Sequence, residues 1–184
     1  MAGITIKFPP YPETDIDHYN VYKYNSEATP PAYEKLGEVV QDAEEALLSY
    51  EDDDGVSSSL YKIASSSADQ TEFLMSVVFS PGDLVGSARV FGRCLDTARN
   101  PIPLIKIEFN LSIPQAIRHG NILKRSTDVF SGSDGYWSID LAPTSSLIPA
   151  GAKYWVQFDS GRGGNVALVE IPADAMLVYY PSLL

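Results

Sequence analysis

Apolar and polar residues alternate along most of this chain with a period of two, the pattern of strands that bury one face. Ile4, Ile6 and Phe8 alternate with Thr5 and Lys7, predicting a short strand over 4–8 that ends at the Pro9-Pro10-Tyr11-Pro12 break. The run Asp15-Ile16-Asp17-His18-Tyr19-Asn20-Val21-Tyr22-Lys23-Tyr24 is rich in aromatic and β-branched residues and predicts a central strand over 16–24. Turn formers follow from Asn25 to Pro31. In the second half the alternation is cleaner, over Ala88–Leu95, Leu104–Leu111, Ser126–Phe130, Tyr136–Leu141, Lys153–Phe158, Val166–Ile171 and Met176–Tyr180. Ser131-Gly132-Ser133-Asp134-Gly135 supplies an Asp-Gly hairpin signal ahead of Tyr136.

One stretch breaks the pattern. Between Tyr33 and Tyr50 the apolar residues fall at 33, 36, 39, 40, 43, 46, 47 and 50, the spacing of an amphipathic helix. The competing reading is two strands, Tyr33–Val40 and Ala46–Tyr50, joined by a turn at Gln41–Glu45. Periodicity alone leaves both open.

Charge divides the chain. Residues 1–80 carry 15 acidic and 4 basic side chains, whereas residues 81–184 carry 9 of each. This shift supports a domain boundary near Ser80-Pro81-Gly82-Asp83, giving expected domains of 1–82 and 83–184. The acidic half reads as a solvated surface, and no cluster of Lys and Arg suited to nucleic acid is visible. Cys94 is the single cysteine, so the chain forms no internal disulfide. The N-terminus lacks the basic and apolar regions of a signal peptide, and no apolar run approaches a bilayer span. The expectation is a protein made in a reducing cytoplasm without a membrane segment.

Two resemblances organise these strands. Ile4-Thr5-Ile6-Lys7-Phe8 and Asp15-Ile16-Asp17-His18-Tyr19-Asn20-Val21-Tyr22-Lys23 resemble strands B and C of a fibronectin type III domain. Tyr33–Val39 resembles strand C′, Leu47–Tyr50 with the acidic turn to Gly55 strand E, Leu60–Ala64 strand F, and Thr71–Phe79 strand G. The likeness favours strands over a helix at 33–50, and it lacks a counterpart of strand A. A sheet missing an edge strand offers unpaired backbone groups to another chain. In the second half, Gly92–Asp96, Asn100–Pro103, Ser133–Ile139 and Tyr154–Val156 are similar to the transthyretin-like, or carboxypeptidase-regulatory-like, β-sandwich. That family's D-x-x-G-x-P turn falls on Asp96-Thr97-Ala98-Arg99-Asn100-Pro101, with arginine in the glycine position. The resemblances imply an all-β chain of two tandem immunoglobulin-like sandwiches, as in bacteriophage virion proteins.

Candidate chemistry is sparse. Asp52-Asp53-Asp54-Gly55 lacks the alternate ligands of a calcium loop and reads as an acidic turn. His18 and His119 stand in different modules without a cysteine partner, which argues against zinc. Cys94 reads as a small buried hydrophobe, and no serine sits in a nucleophile context. The loop Gly161-Arg162-Gly163-Gly164 has no following helix to cradle phosphate. The expectation is a non-enzymatic protein without catalytic residues, metal or cofactor. It would act in multiple copies or as a homo-oligomer through contacts with other virion or assembly proteins. The candidate contact residues are Ile4, Ile6 and Phe8 at the open edge and Tyr179, Tyr180, Leu183 and Leu184 in the apolar C-terminus. The alternative is a module that binds surface glycans through Trp137 and Trp155. Strand neighbours point to opposite faces, so at least half of Tyr136, Trp137, Tyr154 and Trp155 must face the core.

Overall fold

The computed structural model describes residues 3–12, 15–42, 44–118, 121–123, 125–159, 166–180 and 182–183. It is nearly all β and divides into two compact units. The first comprises Met1–Val85 with Ala175–Tyr179, and the second Gly86–Asp174 with Tyr180–Leu184.

In the first unit, β1 (Ile4–Phe8) pairs antiparallel with β4 (Leu48–Asp52). This two-stranded sheet faces a four-stranded one of order β3-β2-β5-β6, built from β2 (His18–Asn25), β3 (Ala32–Val40), β5 (Tyr61–Ser66) and β6 (Glu72–Met75). The stretch 33–50 therefore forms strands, despite its helical spacing. Hydrogen bonding to β2 along the whole of β3, from His18↔Val40 to Asn25↔Ala32, overrides the local pattern, and Leu36 and Val40 are left exposed. The core between the sheets holds Ile6, Phe8 and Leu48 against Tyr19, Val21, Tyr61 and Ile63, with the Phe8 and Tyr19 rings edge to face at 5.1 Å. A polar link also joins the two sheets. The Asp52 carboxylate accepts hydrogen bonds from Lys23 Nζ and from the Tyr61 hydroxyl, both at 2.8 Å, and from the Asp54 amide at 3.2 Å.

In the second unit, β7 (Ala88–Leu95) pairs with β12 (Tyr136–Leu141). The opposing sheet has the order β11-β8-β13-β14, from β8 (Lys106–Leu111), β11 (Ser126–Phe130), β13 (Tyr154–Asp159) and β14 (Val166–Val169). The polar excursion after β8 folds back as a small hairpin of β9 (Ile117–Arg118) and β10 (Asn121–Ile122). β15 (Leu177–Tyr179) lies in the first unit, and β16 (Ser182–Leu183) runs parallel to β7 in the second.

The Asp-Gly turn corrects an expectation. Gly135 takes a φ of +79°, but the turn does not close a hairpin. It carries the chain from β11 in one sheet to β12 in the other, because β11 pairs with β8 and β12 with β7. The Ser131 hydroxyl fixes this crossing by donating to the Ile102 carbonyl and accepting from the Ile105 amide. The core of this unit is centred on Trp137, whose ring lies 5.7 Å from Phe109 and 6.0 Å from Phe158. Gly92 on β7 makes room for it, since a Cβ there would stand 2.6 Å from the indole.

Candidate functional site

Two surfaces collect the features that the sequence singled out: the edge of β1 in the first unit, and the outward face of β11-β8-β13-β14 in the second.

The edge is built from backbone. Along β1, successive residues turn their N–H and C=O groups alternately toward β4 and away from it. The Lys7 carbonyl accepts from the Met176 amide at 2.7 Å, which places Lys7 and Thr5 in the outward set. Met176 lies beside Lys7, and Tyr179 packs on Tyr11 at 5.1 Å, so the segment Ala175–Tyr179 crosses only the far end of β1. Among the described residues, the Thr5 amide and carbonyl and the Lys7 amide have no backbone partner. The other edge of this sheet, along Ser49 and Glu51 of β4, adjoins the acidic turn Asp52–Asp54, which discourages strand pairing.

Several expected contact residues prove to be internal. Ile6 and Phe8 are fully buried because β1 turns them toward Tyr19, so the open part of this strand is its backbone and not these side chains. Ile4 is half-buried. In the C-terminus, Leu177 and Val178 are buried and Tyr179 is held on Tyr11. Tyr180 stacks on Phe158 at 5.8 Å and contacts the Trp137 ring. The apolar character of this stretch thus serves internal packing as far as Tyr180. Leu183 continues β16 beside Leu95, and Leu184 lies outside the described residues.

The two tryptophans separate. Trp137 is 2% exposed and offers no surface to a glycan, because β12 turns it into the core. Its neighbour Tyr136 lies beneath the Arg93 guanidinium at 4.9 Å. Trp155 is 42% exposed, and Tyr154 beside it is buried. The pairing register sets Trp155 in a row with Asn110 and Ser126 on one side and Leu168 on the other. Asp128, Glu108, Gln157 and Val166 form the next row. Glu108 accepts from Ser126 Oγ at 3.1 Å, Lys106 Nζ at 3.3 Å and Asn110 Nδ2 at 3.4 Å. The hydrogen bonds from Ser126, Asn110 and Lys106 hold its carboxyl below the usual range. Asn110, Glu108 and Gln157 carry no motif in the sequence. Strand alternation marks them as outward, but only the register brings them to Trp155.

Other candidates are tied into the structure. The Asp52 carboxylate already holds Lys23 and Tyr61. His18 is buried with Nδ1 at 2.9 Å from Asp17 Oδ2. Cys94 is buried, and burial pushes its thiol up to about 11. Among the described residues no three His, Cys, Asp or Glu side chains gather into a metal-binding group. His119 and the loop 161–164 lie outside the described residues. No described helix is long and apolar enough to cross a membrane.

No protein-family model and no curated protein sequence matches this chain. Among solved structures it overlaps in part with bacterial pilins. A streptococcal ancillary pilin gives a TM-score of 0.34 at 9% identity, over 98% of this chain and 68% of the pilin. The major pilin subunit BcpA of Bacillus cereus gives 0.37 at 12% identity, over 98% and 69%. The shaft pilin spaA of Lactobacillus rhamnosus GG gives 0.33 at 7% identity, over 99% and 97%. At these scores the overlap says nothing about what the chain does.

Proposed function

We propose that this chain is a non-enzymatic structural component of a bacteriophage virion, in capsid decoration, neck or tail and fibre attachment. It acts in multiple copies through contacts with other assembly proteins. The observation that carries this reading is the half-open edge of β1, where the Thr5 amide and carbonyl and the Lys7 amide can pair with a strand from another chain. A two-stranded β1-β4 sheet facing β3-β2-β5-β6 supports the fibronectin type III reading. Support for the transthyretin-like reading comes from the turn Asp96–Pro101. There Arg99 takes a φ of +63° where that family has glycine.

The test is light scattering over a concentration series, with the intact chain and with Thr5→Pro, which removes an outward amide. A discrete oligomer, or recovery of the chain in gradient-purified virions from an expressing culture, is expected, and either should be lost in Thr5→Pro. A chain that is monomeric at every concentration and absent from purified virions would sink the reading.

A further inference from the structure

The outward face of β11-β8-β13-β14 has a make-up of its own, set by side chains and not by open backbone. Its exposed apolar side chains are Trp155, Leu168 and Val166 on β13 and β14, at 42%, 45% and 55%, and Phe130 at the far end of β11, at 55% beside Lys106. β8 between them presents only polar residues, Lys106, Glu108 and Asn110. Neighbouring strands lie about 4.8 Å apart, and same-face residues along one strand lie about 7 Å apart. The indole of Trp155 therefore has Asn110 directly across from it and Glu108 and Gln157 one row away. This is an amphipathic surface of one flat ring with an amide, a second amide and a carboxylate around it. Glu108 is fixed as an acceptor by its three donors before any ligand arrives.

We infer that this face binds a neutral, pyranose-containing saccharide, with Trp155 as the stacking surface and Asn110, Gln157 and Glu108 as partners of the sugar hydroxyls. A pyranose has the matching two-sided chemistry: a C–H face that packs on an aromatic ring, and a rim of hydroxyls that both donate and accept. Charge selects among sugars. The face presents Glu108 and Asp128 against Lys106, and Lys106 is already engaged with both. Sialylated, sulfated or phosphorylated glycans meet a negative field, whereas neutral ones do not.

The experiment uses the whole chain and an immobilised panel of glucose, galactose, mannose and N-acetylglucosamine oligosaccharides, with sialylated and sulfated glycans alongside. Hits are titrated in solution by tryptophan fluorescence. The expected result is binding to at least one neutral oligosaccharide and to none of the acidic set. Trp155→Ala should weaken that binding at least tenfold, and the near-isosteric Glu108→Gln several-fold, with Trp155→Tyr retaining part of it. Each variant is first checked for an unchanged melting profile; if the alanine variant melts early, Glu108→Gln and Trp155→Tyr carry the test. Absence of neutral-glycan binding at millimolar sugar, a preference for acidic glycans, or binding indifferent to all three substitutions would overturn the inference. It would equally fall if Trp155→Ala abolished self-association in a chain that binds no glycan, since the face would then belong to a second copy. Thr5→Pro should leave glycan binding intact, which separates this inference from the edge-pairing reading.

Discussion

Replacing Tyr61 by phenylalanine removes one oxygen and keeps the ring that packs against Phe79 at 5.9 Å, so its effect reads the Asp52 link between the sheets. Asp52 is 8% exposed and would keep Lys23 and the Asp54 amide while losing its hydroxyl donor. A hydrogen bond to a charged group is worth roughly 1.5–3 kcal/mol. At about 4–8 °C per kcal/mol for a domain of this size, Tyr61→Phe should lower the melting transition of the first unit by roughly 6–24 °C at neutral pH. The pH dependence gives a second constraint. Burial pushes the Asp52 carboxyl up, but the hydrogen bonds from Lys23 and Tyr61 outweigh it and hold the carboxyl below its ordinary value. A folded pKa below the unfolded one means stabilisation that is present above about pH 4 and lost as pH falls through the folded value. The penalty of Tyr61→Phe should therefore shrink in acid. On the alkaline side, burial and the bond to Asp52 push the Tyr61 hydroxyl up to about 12. Here the folded pKa is the higher, so the contribution is complete below about pH 10 and disappears toward 12, a loss absent from the phenylalanine variant. Thermal melts of both chains across pH, followed by circular dichroism, make the test. A shift under about 2 °C at neutral pH, or a penalty as large in strong acid as at neutrality, would refute the role given to Asp52.

Three further outcomes are expected. Trp137→Ala should destabilise the second unit by about 3–5 kcal/mol in denaturant unfolding, whereas Trp155→Ala should stay within about 0.5 kcal/mol, because only the first opens a core cavity. Arg99→Gly should raise stability by roughly 0.5–1 kcal/mol, since glycine adopts the left-handed backbone of Arg99 without strain while the Asp96 bonds to Ala98 and Asn100 remain. At pH 8 Cys94 should react with a thiol reagent at least about a hundredfold more slowly in the folded chain than in denaturant. Its raised pKa removes thiolate, and burial blocks access. Rapid labelling under native conditions would contradict this.

Much of the strand content is legible in the sequence, because alternation is a local property. Ile4–Phe8, Ala88–Leu95, Ser126–Phe130 and Tyr136–Leu141 form as the pattern predicts, and the turn at Asp96–Pro101 forms where its residues place it. Alternation also requires that neighbouring aromatics face opposite ways, and Tyr154 and Trp155 do, the first inward and the second outward. Which member of each pair faces in is decided only by the sheet opposite. Phe109 and Phe158 converge on one side of β12, with the space left by Gly92 beside them. The stretch 33–50 carries a helical period, yet β3 pairs with β2 along its whole length, a contact with residues outside the stretch that its own periodicity does not register. The Asp-Gly turn specifies a tight reversal and is silent on whether the next strand joins the same sheet. Likewise, the apolar C-terminus announces burial without naming what it is buried against. The platform around Trp155 rests on register between strands that begin at Lys106, Ser126, Tyr154 and Val166, and the edge of β1 on how far Ala175–Tyr179 reaches along it. Local pattern determines that a residue lies on a strand and on which of two faces. Pairing between segments distant in the chain decides what that face meets, because its energy exists only once both segments are in place.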